Sequence, residues 1–141
     1  MLTTKAVGDT RASIEKLVDA VVRPEYLSRV SPAARLEQAD PAWPAQGSTL
    51  RFKVMGAVVE ARVEENRLPD SLTLVLKTPT GENRARHRFT KLPEGGSRLE
   101  KTLEVPSGLL MRIMMALMLK RQLRSEVERT LRLADELNKG P

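Results

Sequence analysis

The chain has no cysteine, a single histidine and only four aromatic residues, Tyr26, Trp43, Phe52 and Phe89. Without cysteine there is no disulfide, no thiolate nucleophile and no Cys-ligated metal. One imidazole cannot build a zinc site alone, and carboxylates alone suit a hard cation, for which no ligand loop is present. Neither a metal nor a cofactor is therefore expected. The shortage of aromatics also argues against single-stranded nucleic acid, whose binders offer stacking platforms. The net charge of +6 comes from Lys and Arg scattered among Glu, which implies only a general attraction to anionic surfaces. No apolar run approaches the roughly 20 residues that cross a bilayer, and the first residues lack the apolar segment of a secretory signal. The expected compartment is the cytoplasm. Nucleophile elbow, phosphate loop and paired carboxylates at a defined spacing are all missing as well.

What is present is one long helix signal, over residues 106–138, preceded by segments that read mainly as strands. At 100° per residue, Leu109, Ile113, Ala116, Leu123, Val127, Leu131, Ala134 and Leu137 form one apolar stripe. From Arg121 onward the opposite face is charged. Before it, Leu110, Met111, Met114, Met115, Leu117 and Met118 make the helix apolar nearly all round. Four of the six methionines thus fall on what should be the outward face. Methionine suits adaptable contact surfaces, and an apolar patch on a soluble protein marks an interaction site. Met111, Met114, Met115 and Met118 are accordingly expected to form a homodimer contact or to dock on an anionic membrane, the alternative being a cover from the loop at 40–47 or the early helices.

The strands alternate. Residues 2–7 form a first strand ended by Gly8 and Asp9. A helix follows over about 12–21, with Asp9, Thr10 and Ser13 as cap candidates, and a second short helix from Pro24 to about residue 30. A strand at 33–38 and a proline-rich loop come next. Then Leu50, Phe52 and Val54 point one way, Val59, Ala61 and Val63 return after a hairpin at Gly56 and Ala57, and Leu72, Leu74 and Leu76 follow. Ala85, His87 and Phe89 oppose Arg84, Arg86 and Arg88. Leu99, Lys101, Leu103 and Val105 oppose Arg98, Glu100, Thr102 and Glu104, so cross-strand ion pairs are expected on the wet face. A sheet with one apolar face needs a cover, and the long helix supplies it. The chain of 141 residues reads as a single domain, α+β, with about seven antiparallel strands.

This order resembles the helix-grip fold of the START and Bet v 1 (SRPBCC) superfamily, which includes polyketide cyclase-like proteins and lipid carriers. The likeness rests on Ala12-Ser13-Ile14-Glu15-Lys16-Leu17 after the first strand, Arg23-Pro24-Glu25-Tyr26, Gly47, Glu64-Glu65-Asn66-Arg67-Leu68-Pro69 and Leu92-Pro93-Glu94-Gly95-Gly96-Ser97-Arg98-Leu99. It implies a curved sheet wrapped on the C-terminal helix, with two short helices after strand one and an apolar cavity between sheet and helix. The expected occupant is a small hydrophobic or amphipathic molecule of the lipid, polyketide or isoprenoid class. It would be held by Leu50, Phe52, Val59, Leu74, His87, Phe89 and Lys101 on the sheet and by Arg112, Ile113, Ala116 and Lys120 on the helix. Lys101, Arg112 and Lys120 either snorkel to a rim or meet an anionic head group beside His87, with Gln38 joining them. Two alternatives stand beside carriage: a cyclase or dehydratase using His87 as general acid or base, and a scaffold with a filled core.

Overall fold

The structure, a computed structural model, describes residues 2–79, 81–106 and 109–140, with the side chains of 109–117 excepted. The elements are β1 (Leu2–Thr10), α1 (Ile14–Val22), a 3-10 turn (Pro24–Tyr26), α2 (Leu27–Val30), β2 (Ala34–Ala39), β3 (Thr49–Val54), β4 (Ala57–Arg67), β5 (Ser71–Thr78), β6 (Gly81–Lys91), β7 (Ser97–Val105) and α3 (Leu109–Lys139). All seven strands are antiparallel, in the order β1-β7-β6-β5-β4-β3-β2, so β2 to β7 form a meander and β1 closes onto β7. The C-terminal helix α3 lies against β1, β7, α1 and α2. This is the α+β helix-grip architecture that the alternation predicts.

The inner face is read from the register. Gly8 opposes Leu99, which opposes Phe89, and Ala6 opposes Lys101, which opposes His87. Leu17, Leu72, Leu99 and Val63 are the largest fully buried apolar side chains, and they meet Phe89, Leu123, Val127, Leu133 and Ala134 in one core. On the outer face Glu64 takes a two-pronged hydrogen bond from Arg84, at 2.7 and 3.1 Å. That bond holds the Glu64 carboxyl below its usual range. Glu104 pairs with Arg86 at 3.4 Å and Arg84 at 3.9 Å, as the sequence predicts.

Several boundaries differ from expectation, each for a local reason. β1 does not stop at Gly8: it continues to Thr10, and glycine is there because α3 crosses it. A Cβ on Gly8 would sit 2.4 Å from Leu131 Cδ1. α1 starts at Ile14, not 12. Ser13 is its N-cap, its side chain accepting from the Lys16 amide. Thr10 instead becomes a buried knot, its hydroxyl accepting from the Ala12 amide at 3.1 Å and donating to Asp135 of α3. The β3–β4 hairpin turns on Met55 and Gly56, not Gly56 and Ala57. Both carry positive φ, 50° and 85°, and the primed turns that match strand twist need that. In β2 the register shifts between Leu36 and Gln38, so Gln38 opposes Arg51 on the outer face and cannot join an inward cluster. The proline-rich loop is pinned by Trp43 Nε1 donating to the Val22 carbonyl and Asn66 Nδ2 donating to that of Pro44, each at 2.8 Å. Its anchors are the end of α1 and β4.

On α3, Leu123, Val127 and Ala134 are buried, Leu131 and Leu137 half-buried, and Thr130 and Leu133 are buried in addition. The buried arc is therefore displaced toward Glu126 and Leu133, because the helix packs on α1 and α2 as well as on the sheet. Lys120, placed by sequence beside the core stripe, falls outside that arc and is exposed. The sequence offers Ser107, after Pro106, as the N-cap of this helix, and that position lies outside the described residues.

Candidate functional site

His87 is the one buried titratable side chain of β6, and parity puts it on the inner face, between Ala85 and Phe89. It is 5% exposed and lies parallel to the Phe89 ring, with ring centroids 6.5 Å apart. Its Nδ1 is 3.3 Å from the Leu72 carbonyl of β5. A carbonyl can only accept, so in this contact Nδ1 carries the proton and donates, and the neutral ring is left with a bare acceptor at Nε2. Burial above all, and then the neighbouring Lys101 charge, push the imidazole pKa down to about 3 against the raising effect of the Leu72 carbonyl. At neutral pH the ring is uncharged.

Lys101, directly across the β6–β7 ladder from His87, does not snorkel free. Its Nζ donates to Glu126 Oε2 of α3 at 2.9 Å, with the lysine side chain 17% exposed and the glutamate 31%. Glu126 Oε1 in turn accepts from Ser31 at the end of α2, at 3.4 Å. The pair is a strut between sheet and helix as well as a polar feature of the inner face. Sequence reasoning overlooked Glu126 and Ser31. The available signal was the position of Glu126, three residues after Leu123 and four before Thr130, on the buried arc.

The remaining expected residues divide by strand. Leu50 and Val59 are buried, Phe52 and Leu74 half-buried, and all lie on the inner face with His87 and Phe89. Leu50 and Phe52 sit on β3, three strands from β6, or roughly 14 Å at about 4.8 Å per strand. They share a wall with His87 without touching it. The side chains of Arg112, Ile113 and Ala116, and of Met111, Met114 and Met115, lie outside the described residues. Met118 is 56% exposed, as an outward position requires. Two surface grooves are present elsewhere, neither lined by His87 or Lys101. One of about 350 Å³ runs along Gln38, Asp40, Thr49 and Arg51, and one of about 320 Å³ lies between Pro24, Leu27, Ala34 and Leu36. Among the described residues no cluster of three metal-ligating side chains occurs, and no helix is long and apolar enough to cross a membrane.

The architecture defines a helix-grip domain with His87 and Lys101 as a polar spot on a largely apolar inner face. No protein-family model matches the sequence, and no curated protein matches it either. Solved structures do share the fold. DynU16, from the dynemicin biosynthetic locus, superposes with a TM-score of 0.76 at 16% identity over 96% of this chain, which spans 48% of that one. A protein from Arthrobacter aurescens gives 0.78 at 16% identity, covering 96% of this chain and 87% of its own. The protein SA2116 from Staphylococcus aureus, described as of unknown function, gives 0.79 at 12% identity, covering 99% and 96%. At such identities the likeness is one of fold.

Proposed function

We propose that this protein binds a small apolar or amphipathic molecule between the sheet and α3 and carries or presents it. The observation that supports the reading is the inner face itself. Apolar positions on three strands of the inner face, Phe52 of β3, Leu74 of β5 and Leu103 of β7, are only half-buried, while the polar residues His87 and Lys101 are drawn into the same face. Such a surface, mostly apolar with a few placed polar groups, is what small-molecule sites present. DynU16, which shares the fold, comes from a biosynthetic locus, a setting that a small-molecule ligand would suit. The cyclase or dehydratase alternative needs His87 as a proton acceptor. With its pKa near 3 it is a weak base, and general-base efficiency falls as the pKa drops far below the working pH. The reading therefore keeps His87 as a hydrogen-bonding group and not as a catalyst. Native mass spectrometry of the purified protein, with a titration by the neutral fluorophore N-phenyl-1-naphthylamine, tests it. A co-purified mass released on denaturation, or saturable fluorophore uptake blocked by unlabelled amphiphile, is expected. No bound mass and no uptake would mean a filled scaffold.

A further inference from the structure

The polar spot carries information about the head group of the ligand, and this inference rests on the binding reading above. Two charges and one neutral ring have to be counted at it: Lys101 is positive, Glu126 negative, and His87 uncharged. The sum is zero, and the ion pair is already closed at 2.9 Å. Two hydrogen-bonding functions are left over. His87 Nε2 is a buried acceptor with no partner among the described residues, since its other nitrogen takes the Leu72 carbonyl. Lys101 has three N–H donors and spends one on Glu126. The ladder places the two residues directly opposite each other, so their Cβ atoms lie about 4.5–5.5 Å apart and one small head group can reach both side chains.

We propose that His87 and Lys101 form the polar end of the ligand site and select an uncharged amphiphile whose hydroxyl lies one or two carbons from a carbonyl. The hydroxyl donates to His87 Nε2, and the carbonyl accepts from Lys101 Nζ. A carboxylate or phosphate head would instead bring a second negative charge beside Glu126 in a half-buried setting, where like charges repel strongly. An anionic head group is one of the two partners the sequence leaves open for Lys101, and Glu126 is the residue that disfavours it. The depressed basicity of His87 agrees, because it keeps the ring an acceptor throughout the physiological range.

The test uses three ten-carbon probes displacing N-phenyl-1-naphthylamine at pH 7.5: methyl 3-hydroxydecanoate, methyl decanoate and decanoate. In the wild type the hydroxy ester should bind about 3–10-fold more tightly than the plain ester, the increment of one net hydrogen bond. Decanoate should be the weakest of the three. His87→Leu should bring the ratio of hydroxy-ester to plain-ester affinity, both read on that variant, down to about one, and Glu126→Gln should reverse the order so that decanoate exceeds both esters. Decanoate binding tightest to the wild type overturns the proposal, and so does a hydroxyl advantage that survives in His87→Leu. Should His87→Leu fail to fold, the order of the three probes on the wild type and on Glu126→Gln decides alone. Fluorophore uptake with no displacement by any probe overturns the head-group assignment and leaves the cavity reading standing. No uptake at all removes both.

Discussion

His87 should make the fold acid-sensitive in a window set by its own titration. Its pKa is about 3 in the folded chain against an ordinary 6.5, the main cause being burial. The folded state thus holds the neutral ring, and between those two values the unfolded chain binds more protons. Stability then rises with pH, fully present above 6.5 and lost as pH falls toward 3. At about 1.4 kcal/mol per unit the whole span is worth about 5 kcal/mol. A sharper figure comes at pH 5.0, where the unfolded histidine is almost entirely charged and the folded one is not. The wild type should have lost about 2 kcal/mol there relative to pH 7.5. For 141 residues, at about 2.1 cal/mol/K of unfolding entropy per residue, that is a fall in Tm of about 7 °C. The assay is urea unfolding and calorimetry of wild type and His87→Leu at both pH values. Carboxylates held low by their partners, such as Glu64 with Arg84 and Glu100 with Lys5, contribute equally to both proteins and cancel. His87→Leu should therefore lose about 2 kcal/mol less than the wild type between pH 7.5 and 5.0. Parallel losses would refute the reasoning and mean that the imidazole is not desolvated.

Two backbone and knot positions give further checks. Gly96 has φ of 88°, and a Cβ there would lie 2.4 Å from the Thr10 carbonyl oxygen, a backbone atom that cannot swing aside. Gly96→Ala should cost at least about 2 kcal/mol in urea unfolding, adding steric clash to the left-handed penalty, and a change under about 0.5 kcal/mol would contradict the geometry. Thr10→Val keeps the shape but strands the Ala12 amide and removes the donor to Asp135, so about 1–3 kcal/mol should be lost, with no loss if water replaces the hydroxyl.

How much of this was legible depends on which physical rule was acting. Strand parity was, because one face of the sheet is wet: Arg86 and Arg88 come out exposed while Ala85, His87 and Phe89 come out buried. Bulges were not, since one extra residue leaves no mark in composition. That is how Gln38 came to the outer face, opposite Arg51, and Ala39 to the inner one, opposite Leu50. Gly8 was read as punctuation because glycine ends many strands. Its actual role, letting Leu131 approach the backbone, depends on a helix more than a hundred residues away. The phase of α3 was drawn from a stripe beginning at Leu109, in a segment apolar nearly all round, where the wheel has little to discriminate. In the second half Leu133 and Thr130 correct it, and Lys120 moves out as a result.

The polar spot shows the limit most sharply. Parity places His87 and Lys101 on the inner face, where the lysine either snorkels to a rim or meets an anionic head group. What decides their preference is Glu126, whose link to Lys101 joins residues 25 apart in sequence across two elements. With Glu126 in place the lysine is already neutralised, and the unmet demand shifts to the uncharged nitrogen of His87. Packing alone does not require polarity at that point: Leu72, Phe89 and Leu99 are apolar, and an apolar side chain in place of His87 would gain burial where the imidazole loses hydration. A buried acceptor left without a donor costs about 1–3 kcal/mol. A ligand hydroxyl on Nε2 would offset that cost at the moment of binding, so the same atom that weakens the empty fold would strengthen the occupied one.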